Sequence, residues 1–284
     1  MATTQEALTE LRRLSYEHWE EMASIWERGR AFTWRHTRPV SEWLVARLDP
    51  RPGQTILELA AGTGETGFLV AGRLGPEGTL ISSDFSPEMV GRSERLGREE
   101  GVSNAEFRVL DAEQIELDDS SVDGVVCRFG YMLTADPAQA LRETRRVLRR
   151  GGRLVLSTWA DAARNPWMTA AAGVVIERGA MESFSAEGPG MFALPNAETI
   201  EPLLRGAGFR EIEVEDMEVP WRFESSDELW MFASELQGPV AIAISNLDED
   251  ERRRVRAAVE ERASQFATNG GYEFPGVAVN AVAR

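Results

Sequence analysis

Residues 55–84 read TILELAAGTGETGFLVAGRLGPEGTLISSD, and this stretch decides the fold. Ile56, Leu57 and Leu59 make a short apolar strand, and Gly62-Thr63-Gly64 lets the chain turn sharply while bare backbone approaches a ligand. A helix follows, then a second strand from Thr79 to Ser82 with Asp84 at its carboxyl end. An acid about 20 residues past the glycines suits the vicinal hydroxyls of a ribose. The layout is that of a nucleoside-binding half-sheet.

The glycines alone leave the ligand open, because Gly62, Gly64 and Gly67 also satisfy the G-x-G-x-x-G of dinucleotide-binding folds. Glu58 separates the alternatives. A carboxylate at the carboxyl end of the first strand repels a pyrophosphate but accepts hydrogen bonds from an ammonium group, which favours a zwitterionic amino-acid ligand.

The segment Glu58-Leu59-Ala60-Ala61-Gly62-Thr63-Gly64 resembles motif I of the class I S-adenosylmethionine-dependent methyltransferases, written E/D-x-G-x-G-x-G, with Ala60 in place of the first glycine. Phe107 to Leu110 reads as a third strand, and Asp111-Ala112-Glu113 after it resembles the family's adenine-contacting segment. Asp123 to Phe129 resembles the fourth strand, beside the methionine part of the cofactor. Leu141 to Leu154 resembles the following helix, glycine turn and fifth strand, with Arg150 where proline is usual. The resemblance covers roughly residues 40 to 160 and is greatest to the small-molecule branch that includes ubiquinone and menaquinone biosynthesis methyltransferases.

That resemblance implies an α/β fold: a Rossmann-like, doubly wound, mostly parallel sheet of seven strands whose last strand is antiparallel. It implies S-adenosyl-L-methionine as cofactor and S-adenosyl-L-homocysteine as product. It carries Glu58, Ala60, Gly62 and Gly64 onto the methionine and backbone side, Asp84 onto the ribose with Phe85 beside it, Asp111 and Ala112 onto the adenine, and Arg128 and Phe129 onto the methionine end. For Asp84 the other reading is an N-cap for the helix after Ser86-Pro87-Glu88. Methyl transfer of this kind needs in-line alignment and exclusion of water, without a metal or a covalent nucleophile.

The acceptor is expected to be small and partly apolar or aromatic, with methylation on oxygen, nitrogen or carbon left open. Of the only two histidines, His18 and His36, the second is the candidate base for a phenolic acceptor, since imidazole titrates near neutrality; Tyr131 is another candidate. Candidate pocket residues are Tyr16, Trp34, Tyr131, Met132, Trp159, Met191, Phe192 and Trp230, core packing being the alternative for each. Two other functions compete. One is a catalytically silent module that binds S-adenosylmethionine or S-adenosylhomocysteine. The other is a nicotinamide-dependent oxidoreductase, disfavoured by Glu58 and by composition.

All 31 basic residues are arginine, which removes a P-loop lysine, a Schiff-base lysine and the Tyr-x-x-x-Lys pair of short-chain dehydrogenases. A formal charge of −16 argues against a nucleic-acid substrate, because a phosphate backbone needs a basic track. The single cysteine, Cys127, sits in an apolar strand and offers neither a disulfide framework nor a thiolate metal site. No stretch approaches about 18 apolar residues, and MATTQEALTE lacks the pattern of a signal peptide, so a cytoplasmic enzyme without membrane contact is expected, as a monomer or homodimer.

Residues 1–50 read as a helical arm broken at Pro39, and 51–220 as the sheet domain with a lid segment near 160–200. Strands are expected near 55–59, 79–83, 106–110, 123–128, 152–158 and 210–218. Residues 221–271 would form a helical cap insertion, with Ser226-Asp227-Glu228 starting one helix and Leu247 to Phe266 forming another, before a final strand in 272–284.

Overall fold

A computed structural model describes residues 4–182 and 188–284 of the chain; residues 183–187 of the expected lid segment lie outside the described residues. It opens with one continuous helix, α1 (Thr4–Leu48), which runs through Pro39 where the sequence suggested a break. Proline lacks the N–H that would bond four residues back, a loss of about 3 kcal/mol in a helix interior. Val40, Leu44, Val45 and Leu48, all buried just beyond it, supply the compensating apolar contact.

Strands and helices then alternate: β1 (Thr55–Glu58), α2 (Glu65–Leu74), β2 (Thr79–Asp84), α3 (Pro87–Glu99), β3 (Ala105–Val109), β4 (Val122–Arg128), α4 (Pro137–Val147) and β5 (Leu148–Trp159). After α5 (Pro166–Glu177) and α6 (Ala197–Gly206) come β6 (Glu213–Glu218), β7 (Trp221–Phe223) and α7 (Ser226–Met231), which passes into a π-helical turn at Phe232–Leu236. The chain ends through α8 (Pro239–Ser245), α9 (Glu249–Ala263), β8 (Tyr272–Phe274) and β9 (Val277–Ala283).

Seven of the strands form one sheet in the order β3-β2-β1-β4-β5-β9-β6. β9 runs antiparallel to both β5 and β6, while β1 to β5 pair in parallel. The strands at the centre of the sheet are apolar on both faces, as Ile56, Leu57, Val125 and Val126 show, because helices cover both sides. Strand order reverses at β1, so the crevice outside the carboxyl ends of β1, β2 and β4 is where such a sheet binds its ligand.

The insertion between β6 and β9 is helical only in part. β7 and β8 pair antiparallel as a separate ribbon, Trp221 opposite Phe274 and Phe223 opposite Tyr272, which three-residue strands give too little periodicity to announce. Ser225 caps α7 by accepting from Glu228 N–H, and Asp248 caps α9 by accepting from Glu251 N–H. Val255 and Val259 face inward from α9, as their spacing implies. Among the described residues no helix is long and apolar enough to cross a membrane.

Ala60 adopts φ 53°, a left-handed conformation that favours glycine. A Cβ on Gly130 would stand 2.6 Å from the Ala60 Cβ and 2.5 Å from Cys127 Sγ, so the bare backbone at 130 makes room for the side chain at 60. Gly130→Ala is expected to lower stability by about 1–3 kcal/mol through overpacking. Adding Ala60→Gly should return part of the lost Tm in thermal denaturation, the clash with Cys127 remaining. Strictly additive losses would mean that the two positions do not meet.

Candidate active site

Two buried carboxylates hold the turn between β1 and α2. Asp84 Oδ2 accepts from Gly62 N–H at 2.9 Å, and its Oδ1 accepts from Ser86 N–H at 3.1 Å. The N-cap of α3 is Ser86, whose Oγ accepts from Met89 N–H, so Asp84 is not the cap. Burial raises the Asp84 pKa against the pull of the backbone N–H groups of Ser86, Gly62 and Phe85. A carboxylate has about four lone-pair directions, so these bonds leave it capacity for a ligand hydroxyl.

Glu58 differs from the sequence reading. Its Oε1 accepts from Gly67 N–H at 2.7 Å and its Oε2 from Ser82 Oγ at 2.9 Å, so the side chain turns inward beneath the turn and not toward an ammonium. A Cβ at Gly67 would overlap that carboxylate, which makes the glycine at 67 a packing requirement. Desolvation pushes the Glu58 pKa up to about 8, opposed by the hydrogen bonds from Ser82 and Gly67.

Gly62 and Gly64 have φ of 57° and 91°, and a Cβ on Gly64 would lie 2.5 Å from the Phe68 ring. At the end of β3, Asp111 Oδ1 accepts from Glu113 N–H at 2.8 Å, and half-buried Ala112 lies between them. Arg128, with 10% of its side chain exposed, donates to Thr37 Oγ at 2.7 Å and lies 3.6 Å from Glu65, beneath Trp34. The guanidinium therefore ties α1 to α2, leaving backbone at the end of β4, where Phe129 has φ 61°.

Helix α1 lies across these strand ends. Trp26 Nε1 would be 3.2 Å from a Cβ on Gly62, Trp19 meets Trp26 edge-on, and Tyr16 meets Phe85 edge-on at 6.0 Å. Tyr16 thus sits beside Asp84 and Phe85, away from the expected acceptor group. Arg12 pairs with Glu113, Glu20 accepts from Ser86 Oγ, Glu27 pairs with Arg92 and Arg95, and Arg30 pairs with Glu65 and Glu100. Arg12, Arg30, Arg92 and Arg128 are each engaged by a carboxylate. Acids at the ends of β2 and β3, with the nearby cations already paired, suit the hydroxyls, amine and sulfonium charge of S-adenosylmethionine better than a diphosphate. A groove of about 660 Å³ lined by Arg30, Trp34, Glu65, Phe68 and Asn104 contains neither Asp84 nor Asp111.

Beyond β4 an aromatic stack leads into the insertion. Phe129 lies on Trp159 at 4.3 Å between centroids, Trp159 meets Trp167 edge-on at 5.1 Å, and Trp167 stacks on Trp221 at 3.7 Å. His36 covers the group by stacking on Trp221 at 4.6 Å, and Phe32, Phe223 and Phe232 surround it.

His36 is not a free base. Its Nδ1 lies 2.9 Å from Phe32 O, its Nε2 accepts from Arg222 N–H at 3.1 Å, and burial lowers its pKa. Tyr131 is equally committed: its hydroxyl lies 2.6 Å from Thr144 Oγ on α4, and both it and Met132 are buried in the core. Trp34 points toward Arg128, on a different side of α1 from His36. Met191, Phe192 and Trp230 are partly buried against the core, and Trp159, the last residue of β5, is placed in the stack. Asn165 is occupied by Trp167 Nε1 and by the backbone around Val277. Sequence reasoning missed Phe32, Trp221 and Phe223. For Trp221 and Phe223 the alternation Trp221-Arg222-Phe223 was the only signal. Among the described residues no three or more His, Cys, Asp or Glu are grouped to hold a metal.

The sequence profile of a methyltransferase domain family matches residues 50–185. A ubiquinone/menaquinone biosynthesis C-methyltransferase of Acidiphilium cryptum is 36% identical over 190 residues, covering 61% of this chain and 73% of that protein. A nocamycin O-methyltransferase of Saccharothrix syringae is 28% identical over 248 residues, covering 82% of this chain and 86% of that protein. The solved structure of the YcgJ protein from Bacillus subtilis shares the fold with a TM-score of 0.57 at 17% identity, over 86% of this chain and 96% of that one.

The burial of Glu58 makes a pH prediction. With the folded pKa near 8 and an ordinary carboxyl value of 4.5, the unfolded chain releases this proton first as pH rises. The folded state therefore loses stability through that window. Glu58→Gln keeps an oxygen for Gly67 N–H and an amide for Ser82, so its Tm minus that of the parent should climb between about pH 5 and pH 8. A difference that stays flat would show that Glu58 is ionised in the folded chain.

Proposed function

Because the chain belongs to the class I S-adenosylmethionine-dependent methyltransferases, we propose that it methylates a small, partly aromatic acceptor by in-line displacement, with the acceptor held at the stack that begins at Phe129. The observation that carries this reading is continuity: the rings run without interruption from the end of β4 through Trp159 and Trp167 to Trp221. The strand-end acids belong to the cofactor side of that path, and the insertion to the acceptor side.

When bound, S-adenosylmethionine supplies an activated methyl on a sulfonium with a neutral thioether as leaving group. In this reading Asp84, steadied by Gly62 and Ser86 N–H, accepts from the ribose hydroxyls, while Asp111 and the backbone of Ala112 meet the adenine. The backbone at Gly62, Arg128 and Phe129 lines the methionine end, and Trp26 on α1 screens the turn from water. Flat aromatic walls orient the acceptor so that its nucleophilic atom faces the methyl. With His36 and Tyr131 held in internal hydrogen bonds, neither is assigned as a base, and alignment carries the reaction. One relative is named for C-methylation in quinone biosynthesis and the other for O-methylation of nocamycin, which supports a small-molecule acceptor and leaves the methylated atom open.

Calorimetry tests the cofactor half: S-adenosylhomocysteine should bind and NAD should not. Asp84→Ala should weaken binding about ten- to a hundredfold, from lost hydrogen bonds worth roughly 1.5–3 kcal/mol. Unchanged affinity in a variant shown by its melting curve to be folded would defeat the ribose assignment. Transfer of radiolabelled methyl to a panel of phenols and quinols tests the other half; binding of S-adenosylhomocysteine with no transfer to any member would favour the silent binding module.

A further inference from the structure

We propose that residues 12–30 of α1 are a strap, held shut over the cofactor crevice by ion pairs and hinged at Pro39, so that ionic strength sets how fast the cofactor exchanges. This rests on the methyltransferase reading above and names how that same site is opened. The strap crosses every cofactor position in turn. Arg12 meets Glu113 beside Asp111, Tyr16 meets Phe85, Glu20 accepts from Ser86 Oγ and from Glu88 N–H at 3.4 Å, and Trp26 stands over Gly62. A ligand lying along Gly62, Asp84 and Asp111 therefore has about four turns of α1 across its way in and out.

The attachment of that stretch is mainly ionic. Glu27 pairs with both Arg92 and Arg95 of α3, and Arg30 pairs with Glu65 of α2 at 2.6 Å and with Glu100 just past α3. Of residues 6–35 only Met22, Ala23 and Gly29 are buried. The Arg92 contact is not a two-pronged fork onto Glu27: its Nη1 makes the bond, while its Nε is buried without a hydrogen-bond partner among the described residues. A single-pronged pair lacks the second parallel bond that makes an arginine–carboxylate contact strong and specific.

Beyond Pro39 the attachment changes character. Val40, Ser41, Leu44, Val45 and Leu48 are buried, and Arg153 donates to Arg47 O. Salt screens partly exposed ion pairs and leaves apolar contact intact, so the first part of the helix is released under conditions that keep the last part anchored. Pro39 lies at the junction. It has no N–H to offer Arg35 O four residues back, so the helix, continuous while shut, is one hydrogen bond short where it must flex. Lifting residues 12–30 about that point takes Trp26 off Gly62 and Tyr16 off Phe85 together.

S-adenosylhomocysteine carries one ammonium and one carboxylate, so its net charge is zero and a salt effect on its exchange reports on the protein. Release of the radiolabelled compound from the full chain, chased with unlabelled compound, should quicken about threefold or more between about 50 mM and about 500 mM NaCl. Glu27→Gln should release it about threefold faster at low salt and flatten the salt dependence. Glu94→Gln, which removes the Glu94–Arg98 pair on α3 itself, should do neither. In the ligand-free chain, Glu27→Gln should hasten amide hydrogen exchange of residues 12–34 about threefold and leave 40–48 unchanged. Should Glu27→Gln fail to fold, Arg95→Gln removes part of the same latch from α3. Release indifferent to salt and to Glu27→Gln, or exchange that quickens equally on both sides of Pro39, overturns the inference. Failure of the methyltransferase reading would show differently, as a parent protein that takes up no S-adenosylhomocysteine although Glu27→Gln still quickens exchange on one side of Pro39.

Discussion

A carboxylate removed from water underlies the organisation of the sheet's ligand-facing edge. Glu58 joins β1 to α2 through Gly67 N–H and to β2 through Ser82, so three elements share one buried side chain. Desolvation raises its pKa to about 8, and even the protonated group would be costly to bury without those hydrogen-bond partners, since a polar group taken out of water unpaired loses its hydration. Once they are in place, the turn has one position relative to β2. Asp84 can then reach Gly62 N–H, and Trp26 on α1 can settle over the glycine whose missing side chain leaves the space.

The parts of the chain that were legible are those whose logic is short-range. Residues 55–84 contain a strand, a turn, a helix and an acid within one contiguous stretch, and each is specified by neighbours a few positions away. The sheet order followed from resemblance, because no local pattern states which strands pair. The orientation of Glu58 was beyond reach for a related reason: its partners lie 9 and 24 positions downstream, and nothing in the local spacing says whether the carboxylate faces a ligand or the helix behind it.

The acceptor side was read least well, and long-range packing explains why. His36 was singled out because imidazole titrates near neutrality, yet its ring is held by Arg222 N–H, 186 residues away, and lies flat on Trp221. Tyr131 was assigned to a pocket from its place after β4, but one turn of 3₁₀ helix swings it toward Thr144. The insertion showed its apolar faces in the sequence without showing that β7 and β8 would bring Trp221 against Trp167.

Helix α1 has a mechanical consequence. Its 45 residues form one rod about 68 Å long by the usual rise per residue, and Pro39 does not divide it. Trp26 rests over the glycine turn, and Phe32 and His36 rest on the ring stack. Trp26 and Phe32 are only about 9 Å apart along the axis. A stiff rod transmits an axial displacement over that distance, so sliding α1 at the turn moves Phe32 and His36 against the stack by the same amount. The two regions share one helix as a wall.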